Sequence, residues 1–220
     1  MELRLISTTY EGKERITREQ TIPFCDDGGR EEQLINLYPQ VIYQQMDGFG
    51  GAITDSAAYI YSLMNPEQKK QMLDEYFGQG TMKYRFVRIP IDSCDFSLSH
   101  YEADGDEADL VLDELGGPNH VKNFCDAPYL FDTARKQLVE RELQSYIKHF
   151  SHYIETGAVR IGVSRYTDKL EITAFQENSK IVFVLLNRTQ EAIPAFIRLN
   201  DTCAGLIAAS NSIATGVVNI

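Results

Sequence analysis

Acidic side chains are the residues of this sequence that could do chemistry. Asp95 and Asp126 stand in two polar loops, and Asp113 is followed directly by Glu114. Two carboxyl groups held close together can share the work of general acid, general base and nucleophile. Neighbours on a strand point to opposite faces, which argues against Asp113 with Glu114. Asp95 with Asp126 would need both the right separation and a split in pKa.

Histidine, glycine and cysteine give weaker signals. His149 and His152 stand three apart on a predicted helix without a third ligand at metal spacing, so we interpret them as surface or half-buried residues and predict no metal. The glycines lack the G-x-G-x-x-G spacing of a dinucleotide site, and no cofactor is predicted. The cysteines are far apart, which predicts reduced thiols rather than a zinc or disulfide framework: Cys25, Cys94, Cys125 and Cys203.

The composition is that of a globular protein with an acidic balance. The chain has 220 residues, 43% of them hydrophobic, and a formal net charge of −11. Nucleic acids and anionic lipids are also negative, so the charge argues against both as partners. No apolar run approaches the roughly 20 residues that cross a bilayer, so no transmembrane segment is expected. Charged residues just after Met1 occupy the positions where a signal peptide would have its apolar core, so we predict a cytoplasmic location.

The first half of the chain must position Asp95. Residues 1 to about 45 predict edge strands joined by loops, too polar to form a core alone. The glycine-rich residues 48–51 predict a flexible loop. Thr54 or Asp55 can then cap a helix that runs to Met64.

A second helix and a strand follow. Asn65-Pro66-Glu67-Gln68 has the residues of a capping box, and Gly78 ends the helix. Residues 84–90 predict a strand that ends at Pro90. The order strand, helix, helix, strand is typical of the start of an α/β barrel or an open parallel sheet.

The second half of the chain changes its period. Apolar residues at helical spacing between Leu143 and Ile154 predict an amphipathic helix. After Gly157, alternation and short apolar runs predict antiparallel strands that form half of a β-sandwich. The predicted strands are 160–164, 170–175, 181–186, 195–199 and 212–218.

Several motifs carry a family resemblance. The sequence contains the run Met46-Asp47-Gly48-Phe49-Gly50-Gly51, which continues to Ala58, and the run Arg88-Ile89-Pro90-Ile91-Asp92-Ser93-Cys94-Asp95-Phe96-Ser97. These two runs resemble the first two barrel strands of family 30 glycoside hydrolases, the glucosylceramidase family. Residues 110–128, with Gly116-Gly117-Pro118-Asn119, are similar to the eighth strand and its loop. Ile147-Lys148-His149-Phe150-Ser151 and Val184-Leu185-Leu186-Asn187-Arg188 are similar to the last helix and the closing sandwich.

The resemblance implies an α+β fold with two parts. An antiparallel β-sandwich of 1–40 plus 156–220 would pack against a truncated barrel of 41–155 that keeps strands one, two and eight. Only about twenty residues separate the Cys-Asp-Phe-Ser motif from the Gly-Gly-Pro-Asn motif, where the family has strands three to seven. A closed eight-stranded barrel needs at least about 200 residues.

The same shortening removes the expected catalytic residues. The resemblance implies an acid/base residue in an Asn-Glu-Pro motif and a nucleophile at the end of strand seven. This sequence contains no Asn-Glu-Pro triplet. The resemblance leaves Asp95 and Asn123 as substrate-binding residues and no catalytic residue. Ala108 stands where the family has an aromatic wall, and the chain has no tryptophan. Asp95 has a second interpretation, as a cap of the turn after Pro90.

Three functional hypotheses follow. The first is a glucosylceramidase-type retaining β-glycoside hydrolase, acting in name on a glucoside or glycolipid, that is inactive because both catalytic glutamates are missing. The second is a non-catalytic carbohydrate-binding or structural module, which could form a homodimer to cover open strand edges. The third is a deletion product without a selected role.

Overall fold

A computed structural model describes residues 1–12, 14–99, 101 and 127–220. These residues are mostly in strands, with few helices. They form two compact units, one made of Met1–Gly48 and Ser145–Ile220 and the other of Phe49–Gln144. Residues 110–126, most of the segment that resembles the eighth barrel strand and its loop, lie outside the described residues. Among the helices of the described ranges, none combines the length and the apolar character that a membrane span requires.

The strands and helices of the described residues follow one another in chain order. They are β1 (Glu2–Glu11), β2 (Glu14–Pro23), β3 (Cys25–Asp26), β4 (Leu34–Gln45), β5 (Gly50–Ala52), α1 (Asp55–Ser62), α2 (Pro66–Phe77), β6 (Phe86–Arg88), β7 (Tyr129–Asp132), β8 (Gln137–Glu140), α3 (Glu142–Ser151), β9 (Val159–Arg165), β10 (Leu170–Glu177), β11 (Lys180–Asn187), β12 (Ile193–Leu199), β13 (Thr202–Ala208) and β14 (Ser212–Asn219).

Ten strands of the first unit form one sheet. Its order is β2-β1-β14-β11-β10-β9-β4-β12-β13-β3, and all neighbours are antiparallel except β4 and β12. Strands from both halves of this order contribute to a single buried cluster, which includes Leu3, Phe183 and Ile197. The sheet therefore curves around a shared core, and the two ends of the chain meet where β1 pairs with β14.

The N-terminal strands contradict the prediction that they lie only at edges. β1 is between β2 and β14, and β4 is between β9 and β12. Leu3 and Leu5 are fully buried, since alternate side chains of a strand point to the same face. The polar residues of β1 made the segment appear too polar for a core, but several of them lie on the face of the strand opposite to Leu3 and Leu5.

One strand of the sheet was not predicted from the sequence. β13 contains small residues and Gly205, which weaken a strand pattern. A β-carbon at Gly205 would come within 2.8 Å of the Phe196 ring on β12. The glycine is therefore present because an aromatic ring of the neighbouring strand occupies the space of its side chain.

The second unit contains the capped helices α1 and α2. Thr54 accepts a hydrogen bond from the Ala57 amide at 3.3 Å, which confirms one of the two predicted caps. The capping box of Asn65 and Gln68 is also confirmed, because each side chain accepts from the other residue's amide. Helix α1 ends at Ser62, two residues earlier than predicted.

Candidate functional site

The site that the sequence predicts follows two short parallel strands of the second unit. β5 and β6 pair in register from Gly50 with Phe86 to Ala52 with Arg88, and the Ile53 amide donates to the Arg88 carbonyl at 2.9 Å. Functional residues of α/β folds lie at the carboxyl ends of parallel strands. The segments that leave β5 and β6 are therefore where a site is expected.

Residues 50 and 51 form β5, so the flexible loop predicted for 48–51 is wrong at these positions. A β-carbon at Gly50 would lie 2.2 Å from the Phe86 carbonyl oxygen. The glycine is needed for the close approach of two backbones and not for flexibility.

Asp95 lies in a tight turn after β6. The Ser97 amide donates to the Cys94 carbonyl at 2.8 Å, and the Cys94 amide donates to the Ser97 hydroxyl at 2.8 Å. Asp95 is the second residue of this turn, and its side chain is exposed. Both hydrogen bonds that close the turn are made by Cys94 and Ser97, and Asp95 lies exposed between them.

The start of helix α1 holds this turn. The amide and the hydroxyl of Ser56 both donate to the Phe96 carbonyl, at 2.9 Å and 2.6 Å. Helix N-termini leave amides without intrahelical partners, and Phe96 satisfies one of them. The position of Asp95 is thus fixed by α1 as well as by β6.

Asp55 and Tyr101 extend the cluster, and sequence reasoning did not assign either to the site. The Tyr101 hydroxyl donates to Asp55 Oδ1 at 3.2 Å, and the Ser93 amide donates to the Tyr101 carbonyl at 3.1 Å. Desolvation and then the Asp55 hydrogen bond raise the pKa of Tyr101. Asp55 is also in the first turn of α1, where the helix dipole favours a negative charge. We call Asp55, Asp95, Phe96 and Tyr101 the α1 cluster.

The other predicted site residues cannot be placed. Asn123, Asp126, Asp113 and Glu114 lie outside the described residues, as does Ala108. Asn123 as a substrate-binding residue stays a prediction.

His149 was expected at the surface or half-buried, and this is wrong. It is 4% exposed, with ring nitrogens 2.8 Å from the Thr215 hydroxyl and 2.9 Å from the Thr8 hydroxyl. Burial, with a smaller effect of Lys148, lowers the pKa of His149 to about 4. Both nitrogens are engaged with strands β1 and β14, so this histidine holds helix α3 on the sheet. No cluster of three or more metal-binding side chains occurs in the part of the chain that the structure describes.

A tyrosine cluster forms the buried centre of the second unit. The centroid of the Tyr76 ring lies 5.7 Å from that of Tyr84 and 5.3 Å from that of Tyr129. The Tyr129 hydroxyl donates to Glu75 at 2.8 Å. Burial raises the pKa of Tyr84 to about 12, and burial together with Glu75 raises that of Tyr129. Since Tyr84 and Tyr129 are both buried, we interpret the cluster as a core that supports β6.

Two family models match most of the chain after residue 45. The TIM-barrel domain of glycosyl hydrolase family 30 matches residues 46–109 and 103–154, and the beta sandwich domain of the same family matches residues 157–216. The two models meet between residues 154 and 157, after helix α3 and before β9.

Curated relatives match a part of the chain. Lysosomal acid glucosylceramidase of Mus musculus is 34% identical over 85 residues, which cover 39% of this chain and 16% of the relative. A Caenorhabditis elegans protein named as a glucosylceramidase is 42% identical over 86 residues, or 37% of this chain and 16% of the relative. These matches span about a sixth of the length of each relative.

Solved structures show the fold. The crystal structure of SrfJ from Salmonella typhimurium superposes with a TM-score of 0.86 at 16% identity, covering 100% of both chains. An endo-β1,6-glucanase superposes with a TM-score of 0.75 at 13% identity, again over 100% of both chains. At these identities the similarity is one of fold alone.

Proposed function

The chain belongs to glycosyl hydrolase family 30, and we propose that it recognises glucosides of the glucosylceramide type without hydrolysing them. The observation that carries this proposal is the short connection between the Cys-Asp-Phe-Ser and Gly-Gly-Pro-Asn motifs, together with the absence of any Asn-Glu-Pro triplet from the sequence. We infer that residues 41–155 are a truncated barrel that keeps strands one, two and eight. The parallel pairing of β5 with β6 supports this inference.

Hydrolysis requires a carboxyl pair that the scaffold holds. A retaining enzyme needs two such groups about 5 Å apart, one on each side of the scissile bond. In the α1 cluster, Asp55 accepts the hydrogen bond of Tyr101 and interacts with the N-terminus of its own helix. This hydrogen bond gives Asp55 a structural role, so we do not assign it as the catalytic partner of Asp95.

Recognition needs less than catalysis. A carboxylate accepts hydrogen bonds from sugar hydroxyls, and an aromatic ring packs on the apolar face of a sugar. Asp95 is exposed in its turn, and the neighbouring Phe96 and Tyr101 are 42% and 39% exposed. Backbone hydrogen bonds of Phe96 and the bond from Tyr101 to Asp55 connect both residues to the start of α1, so we propose that one sugar contacts all three side chains. Phenylalanine and tyrosine would take the place of the tryptophan that the sequence lacks.

The first experiment tests whether hydrolysis is absent. The protein is incubated with an aryl β-glucoside and, separately, with an activated 2-fluoroglucoside, which traps a carboxylate nucleophile as a covalent glycosyl-enzyme. We expect no release of the aryl group and no mass increase of the intact protein. Turnover that disappears in the Asp95→Ala variant, or a glycosylated carboxylate, would show that a catalytic pair exists.

The second experiment tests recognition. Methyl β-glucoside is titrated into labelled protein and amide chemical shifts are followed by NMR. We expect saturable shifts of residues 93–101 and at least a tenfold weaker affinity for Asp95→Asn, while Asp168→Asn, an exposed change in the other unit, binds as the wild type. Binding that Asp95→Asn does not weaken would place the ligand elsewhere, and no saturable shift would remove the proposal.

A structural module is the second candidate, and the exit from β6 favours it. Ile89 and Ile91 are 66% and 84% exposed, next to a sheet that has two strands in the described residues. Large apolar side chains in such positions are often covered by a partner. Light scattering across a concentration series tests this role. A dimer that Ile91→Ser dissociates supports it, and a monomer at all concentrations contradicts it.

A further inference from the structure

The edge strand β3 places two thiols opposite each other. Cys25 of β3 and Cys203 of β13 are register partners in an antiparallel pair, although they are far apart in the sequence. Both are reduced in this structure, with Cys25 exposed and Cys203 7% exposed. The sequence predicted reduced thiols from the wide spacing of the cysteines, and it did not show that the fold brings these two residues opposite each other.

The geometry of the pair fits a disulfide. Opposite residues of an antiparallel pair have Cα atoms about 4.5 or 5.5 Å apart, and their side chains point to the same face. Disulfides join Cα atoms about 4.4–6.8 Å apart. Both kinds of antiparallel position thus lie in the range that a disulfide spans.

The segment around Cys25 is held in place before any covalent link forms. The Phe24 amide donates to the Met1 carbonyl at 3.1 Å, and the Asp27 amide donates to the Asp201 carbonyl at 3.2 Å. Arg198 forms an ion pair with Asp27 at 2.9 Å. A thiol fixed on both sides needs little backbone movement to reach its partner.

We propose that Cys25 and Cys203 form a redox-sensitive disulfide that fastens β3 to β13, with a low-molecular-weight disulfide such as oxidised glutathione as oxidant. The exposed Cys25 thiolate attacks one sulfur of the oxidant, forms a mixed disulfide and releases one thiolate. The Cys203 thiolate then attacks the Cys25 sulfur and releases the second. The two protein thiols lose two protons and two electrons, and the oxidant becomes two thiols.

The link would protect the edge of the ten-stranded sheet. β3 has two residues and covers part of β13, whose next neighbour on the other side is β12. If β3 detaches, the backbone groups of β13 become available for pairing with another chain. Oxidation therefore stabilises the sheet and keeps this edge covered.

The test uses the full chain in glutathione buffers of graded redox ratio. After unfolding and alkylation, the oxidised protein should carry two fewer alkyl groups than the reduced protein, and digestion with trypsin should join peptide 19–30 to peptide 199–220. The melting temperature should rise by roughly 5 to 10 °C on oxidation. A disulfide to Cys94 or Cys125, a disulfide only between chains, or an unchanged alkylation count would overturn the proposal.

Single variants test the order of the two steps. Cys203→Ser should retain one glutathione on Cys25, because the second thiol is missing. Cys25→Ser should remain unmodified at Cys203, because that thiol is buried. Cys94→Ser is the matched control and should form the link as the wild type does. A glutathione adduct on Cys203 in Cys25→Ser would contradict the assignment of Cys25 as the attacking group.

Discussion

His149 and Thr215 are joined by two hydrogen bonds that share the hydroxyl oxygen of Thr215. The Thr215 hydroxyl donates to the His149 carbonyl at 2.8 Å, and the same oxygen lies 2.8 Å from Nδ1. A hydroxyl has one proton, so Nδ1 must carry the proton of its own bond. Nε2 then accepts from the Thr8 hydroxyl at 2.9 Å. The neutral imidazole is therefore held as a single tautomer.

This arrangement predicts a loss of stability in acid. The pKa of His149 is about 4 in the folded chain and 6.5 as the reference value. Between these values the unfolded state binds the proton, so the free energy of unfolding falls as the pH falls from 6.5 to 4 and does not change for this reason above 6.5. The loss from this residue should be about 3 kcal/mol. Urea unfolding at a series of pH values measures it.

The carboxylates also titrate in acid, so a variant without a titratable group at position 149 is needed to identify the contribution of His149 to the loss of stability. His149→Gln keeps one donor and one acceptor but does not titrate, so its stability should depend less steeply on pH between 6.5 and 4. A variant with the same pH profile as the wild type would mean that His149 does not cause the loss.

Local rules predicted much of the fold because they act within a few residues. The cap at Thr54, the capping box at Asn65 and helix α3 each follow from neighbours in the sequence. The burial of His149 does not, because Thr8 and Thr215 come from opposite ends of the chain. The α1 cluster has the same cause: Asp95 was identified by its motif, but Tyr101 joins it through a contact with Asp55 that no spacing reveals.

A second prediction concerns Gly216, which is opposite Phe183 in the core. A β-carbon at Gly216 would come within 2.1 Å of the Phe183 ring, which is fully buried. Gly216→Ala should lower the free energy of unfolding by about 3 kcal/mol, because the added methyl group would overlap a ring that is packed in the core. Gly80→Ala is the control, since its β-carbon would meet no atom within 4 Å.

The clash can be tested by removing part of the ring. Phe183→Leu alone should cost about 1 to 2 kcal/mol. The double variant should be more stable than the sum of the single effects by at least about 1 kcal/mol, as measured in urea. Additive effects would show that Gly216 is needed for some reason other than Phe183.

A third prediction concerns Asn187, which is 1% exposed at the end of β11. Its amide nitrogen lies 2.8 to 3.1 Å from the carbonyl oxygens of Glu191, Ala208 and Ala209. Asn187→Asp would replace this donor with an acceptor among three acceptors, so stability should fall by about 3 kcal/mol or more. Asn200→Asp, the same change at an exposed turn residue, should have little effect.

The same contacts bear on the triplet Asn187-Arg188-Thr189, which has the form of a glycosylation site. A buried amide with three acceptors is not available to a transferase, so the folded protein should carry no glycan on Asn187. The triplet instead forms a turn at the end of β11, in which the Thr189 amide donates to Asn187 Oδ1 at 2.9 Å. A folded, fully glycosylated chain would contradict this assignment.

The last prediction joins the fold of the second unit to its site. Gly50→Ala would place a methyl group 2.2 Å from the Phe86 carbonyl oxygen, whereas at Gly51 the nearest atom, of the Tyr84 ring, is 3.3 Å away. The backbone of β6 cannot yield as a side chain can, so Gly50→Ala should separate β5 from β6 and displace the turn that carries Asp95. Limited proteolysis should then cut the second unit faster, and glucoside affinity should be lost. Gly51→Ala, the adjacent control, should retain both protection and affinity. Equal behaviour of the two variants would mean that the parallel pair does not position Asp95.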